Sequence, residues 1–186
     1  MTMRATQVVI LIASMIEGCA VHSKDRALAV GGVQVLDGAT SCHLTQVEPT
    51  TALEDLHWKD ALVVRANGEG QAELACGEER TRLRLVKPDR VELVLVEVQA
   101  KAGQRFHVRA IARDAGGHEL ELGKWPDIAW QGDSGVVSDE DASAGEFGLG
   151  GGAFGVHGFK ATKPGEFAVE ARLGAVVGTL RVPVKP

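Results

Sequence analysis

The chain has 186 residues, a formal net charge of −5, 23 glycines, 3 cysteines and no tyrosine. This length allows one domain of ordinary size or two small ones, and it is too short for a TIM barrel. The hydrophobic fraction of 45% excludes bulk disorder. The mild acidity argues against nucleic acid as a partner, since that partner favours a basic face.

Residues 1–20 have the pattern of an export signal. Arg4 supplies a positive charge, and an uncharged apolar run follows it at residues 8–16. The run is far shorter than the roughly 20 residues that a membrane-spanning helix needs. We therefore predict that this segment directs export and does not form a transmembrane helix.

Ile16, Gly18 and Cys19 close the apolar run. They resemble the lipobox of bacterial lipoproteins, although Glu17 stands where that family carries a small or aliphatic residue. The resemblance implies cleavage before Cys19, acylation of that residue and, since Ala20 follows it, an outer-membrane location. Acyl chains bind a bilayer at roughly 0.8 kcal/mol per buried CH₂, so several chains anchor a protein firmly. Ordinary secretion is the alternative, because Gly18 and Ala20 also form a small-x-small site that would release a soluble secreted or periplasmic protein.

Two segments of the mature chain end alike, at 70–88 and 165–186. Each has a Gly-led strand, a turn and a final strand that closes in Lys-Pro, which predicts the last hairpins of two related β-modules. Chance similarity between alternating strands is the alternative. Pro88 cannot donate a ladder hydrogen bond and is the predicted boundary. The predicted organisation is a signal peptide, a tether, a small β-sandwich module and an immunoglobulin-like module, at 1–18, 19–23, 24–88 and 89–186.

Short strand patterns separated by Gly and Asp turns predict an all-β sandwich fold rather than an α/β fold. The predicted strands, in chain order, include 28–30, 33–36, 61–64, 91–98 and 106–113. The last of these alternates between an apolar and a polar face: Phe106, Val108, Ala110 and Ala112 against His107, Arg109 and Arg113. A helix is predicted only at 51–57, where Thr51 and Glu54 fit a capping box.

Cys42 and Cys76 remain after export, an even pair in an oxidising compartment, which predicts a disulfide. This bridge would close a loop of about 34 residues and stabilise the first module by roughly 3–4 kcal/mol. Trp58 lies between the two cysteines and resembles the Cys–Trp–Cys order of immunoglobulin domains, but the spacing is too short for their inter-sheet bridge. Two buried free thiols are the alternative. A metal site with His43 and His57 is disfavoured, because no CxxC spacing exists.

Motifs of the second module follow one another in a recognisable order: 102–104, 110–114, 116–117, 128–130, 158–161 and 163–167. The segment resembles the bacterial immunoglobulin-like domains of intimin- and invasin-type adhesins. The resemblance implies two packed sheets, and the ring of Trp130 is expected between them. A Gly- and acid-rich stretch at 132–157 departs from the family, which crosses here with less chain.

The stretch 132–157 is predicted as the partner-contact loop, because loops on rigid scaffolds carry function. Its candidate contact residues are acidic or aromatic: Asp133, Asp139, Glu140, Asp141, Phe147 and Phe154. The acids would also suit Ca²⁺, but their spacing matches no EF-hand, so we expect no metal and no cofactor.

Two catalytic motifs occur in this stretch. Residues 132–135 match the GDSG core of trypsin-like proteases, with Ser134 as nucleophile, but no matching His context lies upstream. Residues 150–155 match GxGxxG, yet no helix can begin where the dinucleotide fingerprint requires one. We predict a non-enzymatic, lipid-anchored envelope protein that binds an unidentified envelope or surface protein or glycan. The alternatives are a secreted carbohydrate- or calcium-binding module and a small secreted hydrolase.

Overall fold

The computed structural model describes residues 23–36, 42–55, 62–123, 126–139 and 155–186. The first six strands are β1 Ser23–Leu36, β2 Cys42–Glu48, β3 Leu53–Asp55, β4 Leu62–Ala66, β5 Gly70–Cys76 and β6 Glu79–Val86. The others are β7 Arg90–Leu95, β8 Ala100–Lys101, β9 Arg105–Arg113, β10 Glu119–Gly123, β11 Ile128–Gly132, β12 Val136–Ser138, β13 Val156–Ala161, β14 Gly165–Leu173 and β15 Val176–Lys185. The all-β prediction is confirmed. No described residue belongs to a helix with the length and apolar character needed to cross a membrane.

Several predicted positions lie outside the described residues, so the structure does not address them. They are Cys19, His57, Trp58, Glu140, Asp141, Phe147 and Phe154.

Strands β7 to β15 form an immunoglobulin-like sandwich. In one sheet, β9 pairs with β7 on one edge and with β13 on the other, and β13 pairs with β12. In the second sheet the order is β11-β14-β15-β8, with β8 parallel to β15. The division of these strands between two sheets corresponds to the ABED and CFG sheets of the immunoglobulin fold. Strand β10 is an addition that extends the β9 edge.

The core of this sandwich lies where the alternation of β9 predicted it. Phe106, Val108, Ala110 and Ala112 are all buried, and the Phe106 ring stacks on Phe159 with centroids 5.8 Å apart. On the opposite face, which was expected to be exposed, His107 is buried.

His107 was expected on an exposed polar face, but it is only 4% exposed. The reason is that the predicted strand 91–98 ends at Leu95, and the bend after it lays Glu97 over His107. The Glu97 carboxylate accepts a 2.7 Å hydrogen bond from the His107 backbone N–H and lies 2.5 Å from Nδ1. Burial of this histidine is tolerated because Glu97 supplies a partner to both its backbone N–H and its Nδ1.

Strands β1 to β6 form a smaller sandwich in which β1 belongs to both sheets. Its first half pairs in parallel with β6, in the order β2-β5-β6-β1, and its second half pairs antiparallel with β4, which also pairs with β3. The segments 28–30 and 33–36, predicted as two strands, are therefore one strand with a bend. Gly31 has a φ of 88°, and a Cβ on Gly32 would lie 2.8 Å from the Ala29 carbonyl oxygen. Only glycine fits this bend.

The predicted helix at 51–57 is wrong where the structure describes it. Strand β3 occupies part of that segment, and Leu53 pairs with Ala66 of β4. A seven-residue helix is too short to be stable without tertiary packing, and Leu53 buries its side chain in the small core by pairing as a strand. Packing therefore outweighs the capping pattern at Thr51.

The disulfide between Cys42 and Cys76 is confirmed. The two residues are directly opposite on β2 and β5, with Cα atoms 4.0 Å apart, so the bridge joins neighbouring strands of one sheet. This agrees with the expectation that it is not an inter-sheet bridge. It also excludes both free thiols and a metal role for these cysteines.

The two sandwiches are joined through β1, which pairs in parallel with β10. Arg26 Nε donates a 2.8 Å hydrogen bond to Glu121 Oε1 across this junction. Ala29 of β1 packs in the core of the second sandwich, while the first has its own cluster of buried residues. A module boundary at Pro88 stays a prediction, because strand pairing and packing cross between the two parts.

Candidate contact site at the end of the second sandwich

The predicted contact loop leaves the sandwich between two paired strands. Strand β12 ends at Ser138 and β13 begins at Val156, and Ser138 is the register partner of Phe159. The backbone N–H of Asp139 donates a 2.9 Å hydrogen bond to the Gly158 carbonyl, which extends the pairing by one step. Both ends of the connection are therefore fixed at the same end of the sandwich.

Three ring side chains pack together at this end. Alternation along β13 places His157 and Phe159 on the same side, and Trp130 reaches them from β11 in the other sheet. The Trp130 and His157 rings are stacked with centroids 5.3 Å apart, and Phe159 meets Trp130 edge-on at 6.1 Å. Trp130 is half-buried against the core, as predicted for a ring between the sheets.

Two polar contacts fasten the strand ends beside these rings. Ser138 Oγ lies 2.6 Å from His157 Nε2. Arg105 Nε, at the start of β9, lies 2.7 Å from Asp139 Oδ2. The Asp139 carboxylate was predicted to contact a partner, but it is largely buried and engaged with Arg105. Its position therefore supports a role in holding the base of the connection.

Asp133 lies elsewhere, in the turn between β11 and β12. Its Oδ2 accepts a 2.8 Å hydrogen bond from the Ala168 N–H, and its own N–H donates to the Ala168 carbonyl at 2.9 Å. The turn also contains Ser134, the residue of the GDSG match, and Gly135, where a Cβ would lie 2.8 Å from the Phe167 ring. The structure thus places Asp133 and Asp139 at opposite ends of β12.

Chemically, this end of the sandwich offers ring surface, a hydroxyl–imidazole pair and one ion pair. No group of three or more His, Cys, Asp or Glu side chains suited to a metal ion occurs among the described residues. Sequence reasoning weighed Ser134 only as the nucleophile of a disfavoured protease match and did not single out Ser138 or His157 as site residues. The alternation of β13 contained a signal for His157, since it stands two residues before Phe159, which is fully buried.

No protein-family model matches the chain, and no curated protein is significantly similar to it in sequence. Among solved structures, domains 5–6 of the S-layer protein SbsC are 15% identical with a TM-score of 0.36, over 91% of this chain and 97% of that one. The Escherichia coli adhesin FdeC is 14% identical with a TM-score of 0.37, over 83% of this chain and 52% of that one. Invasin, a bacterial integrin-binding protein, is 11% identical with a TM-score of 0.39, over 86% of this chain and 34% of that one. TM-scores of this size do not establish a common fold, so the immunoglobulin-like assignment rests on the strand pairing.

Proposed function

We propose that the protein is a non-enzymatic binding module of the bacterial cell envelope, held at the outer membrane by an acylated Cys19. Its partner is a surface or envelope protein or a glycan, contacted by the stretch 132–157. The observation that carries the proposal is the connection between β12 and β13, which runs from 139 to 155, 17 residues. Connections between paired strands usually have 2–5 residues, and much longer ones usually carry function.

The packing below this connection supports the same conclusion. Trp130, His157 and Phe159 form a ring cluster, and the Arg105–Asp139 ion pair fixes the first residue after β12. A binding loop gains affinity when its ends are held, because less conformational entropy is lost when it binds. The fold does not need so long a connection to join two neighbouring strands.

The loop is tested by replacing residues 140–154 with four Gly and Ser residues. Because the strand pairing and both polar contacts remain, we expect the melting temperature to change by only a few degrees. Binding of the purified protein to isolated envelope fractions and to peptidoglycan sacculi, measured by surface plasmon resonance, should be lost. Arg181→Ala, which changes an exposed arginine of β15, is the matched control and should bind normally. Unchanged binding by the shortened protein would contradict the contact role.

The anchor is tested by mass spectrometry of the mature protein from its native host. A diacylated or triacylated Cys19 supports the proposal, and an unmodified terminus at Val21 refutes it. Cys19→Ala should move the protein from the membrane pellet to the soluble fraction. Glu17→Leu places a typical lipobox residue before Gly18 and should leave acylation intact.

The contact between Ser138 and His157 favours a small secreted hydrolase as a second candidate. An Oγ–Nε2 distance of 2.6 Å lies within the reach of a nucleophile–base pair. Ester hydrolysis that is lost in Ser138→Ala and kept in Ser134→Ala would support this candidate. Equal residual rates in both variants on p-nitrophenyl acetate would remove it.

A further inference from the structure

The outer face of the β2-β5-β6-β1 sheet carries a polar surface that no role above uses. Strand pairing arranges it in rows, because register partners point to the same side of a sheet. One row is Gln46, Glu73, Arg82 and Asp25, and the next is Glu48, Gln71, Arg84 and Ala27. We call the seven polar residues of these two rows the polar face; Ala27, at the end of the second row, packs against the core of the second sandwich. A groove of about 270 Å³ lies over it, lined among others by Asp25, Gln46, Gln71 and the two arginines.

The arginines of the polar face lack the carboxylate partners that several arginines of the second sandwich have among the described residues. There, Arg113 lies 2.7 Å from Glu92, and Arg105 lies 2.7 Å from Asp139. Arg82 and Arg84 are both exposed, and neither forms an ion pair with any other described residue. Their guanidinium groups remain available to a ligand.

The charge pattern of the face selects among ligand classes. Arg82 has an acidic register partner on each side, Glu73 and Asp25, and Glu48 lies nearby, so the face is not positively charged overall. A uniformly anionic partner, such as a phospholipid surface, would meet these carboxylates as well as the arginines. Carboxylates accept hydrogen bonds and guanidiniums donate them. A sugar hydroxyl can donate to the carboxylates and accept from the guanidiniums, so it can pair with either kind of group.

Arg84 is the exception within this pattern. Its register partners are Gln71 and Ala27, and neither is charged. A ligand carboxylate placed here would gain a bidentate, charge-assisted contact and would have no acidic group directly beside it. Arg84 and Arg82 stand about 6.8 Å apart along β6, so one short ligand can contact both.

We propose that the polar face binds an oligosaccharide that carries a carboxylate. The carboxylate lies on Arg84, and hydroxyl groups pair with Glu73, Arg82 and Gln46. The site is held rigid because Thr45 Oγ1 lies 3.0 Å from Glu73 Oε1 and the Cys42–Cys76 disulfide ties the edge strand β2 to β5. This inference rests on the proposed binding function, names its ligand class and adds a site outside the stretch 132–157.

The test is isothermal titration of the full mature chain, made soluble by Cys19→Ser, with 3′-sialyllactose, a trisaccharide with a single carboxylate, at low salt. Charge-assisted hydrogen bonds are about twice as strong as neutral ones, so Arg84→Gln should weaken binding at least tenfold. The methyl ester of this trisaccharide should bind the unchanged protein about as weakly, because it lacks the carboxylate. Arg181→Gln, an exposed arginine of the second sandwich, is the matched control and should bind like the parent.

The inference would be overturned by no binding of the parent protein at millimolar ligand, or by equal affinity of the Arg84→Gln variant. Equal binding of the ester would also overturn it, because the carboxylate would then be irrelevant. The variant shortened at 140–154 should bind 3′-sialyllactose normally. Loss of 3′-sialyllactose binding only in that variant would place the glycan at the contact loop and overturn the inference. If that variant loses envelope binding but keeps 3′-sialyllactose binding, the contact loop and the polar face are separate sites, as proposed.

Discussion

Trp130→Ala should destabilise the protein by about 2–3 kcal/mol. The ring makes two aromatic contacts, with centroid distances of 5.3 Å to His157 and 6.1 Å to Phe159. Each such pair contributes roughly 0.5–1.5 kcal/mol beyond simple burial. A fully buried Trp→Ala change costs about 3–5 kcal/mol, and Trp130 is only half-buried, so the expected loss lies at or just below the lower limit of that range.

The assay is urea unfolding, in which the midpoint should fall while the m-value stays constant. Trp130→Phe keeps an aromatic ring against Phe159 and should recover part of the loss. Val98→Ala is the control on a fully exposed side chain and should stay within about 0.5 kcal/mol. A loss under about 1 kcal/mol for Trp130→Ala, or equal losses for the Ala and Phe variants, would refute the idea that this ring cluster holds the loop base.

Three further outcomes follow from the described contacts. The His118 backbone N–H donates to the Asp114 carboxylate and lowers the pKa of Asp114. The stabilisation from this contact is therefore present above the unfolded pKa of Asp114 and is lost as the pH falls through its folded pKa. Asp114→Asn should thus lower the melting temperature at pH 7; the difference from the parent should shrink as the pH falls below the unfolded pKa of about 3.9 and vanish only below the lowered folded pKa. Gly32→Ala should destabilise the junction, since its Cβ would lie 2.8 Å and 3.0 Å from two backbone oxygens; a melting temperature equal to the parent's would contradict this geometry. Replacing both Cys42 and Cys76 with Ala should cost roughly 3–4 kcal/mol for a 34-residue separation, and denaturant unfolding that shows no loss would remove the chain-entropy explanation.

The fold was predictable where one physical effect dominates the local pattern. Strand β9 buries one face completely, so apolar residues appear at every second position from Phe106 onward. The turn from Asp114 to Gly117 could also be predicted, because Asp and Gly favour turns. Gly117 adopts a φ of 82° there, which glycine tolerates. The error at 51–57 arose because a capping box describes only local hydrogen bonds, whereas Leu53 is positioned by its pairing with β4.

The candidate site was less predictable, because it depends on contacts between strands that are distant in the chain. Trp130 and His157 belong to different sheets, and only the closure of the sandwich brings their rings together. Asp139 was expected at a ligand surface, but Arg105, which is 34 residues earlier, takes its carboxylate. Acidic residues in a Gly-rich stretch look alike in sequence whether they face solvent or an arginine.

The position of β1 links the proposed anchor to the polar face. Ser23 begins β1 and pairs with Arg80 of β6, at the end of the sheet that is two residues from Arg82. Cys19 precedes Ser23 by four residues, which span at most about 14 Å when extended. An acylated Cys19 would therefore hold the polar face within a short distance of the bilayer. A glycan bound there would have to lie close to the membrane, whereas the connection that carries the proposed contact loop begins and ends on the second sandwich, after β12 and before β13.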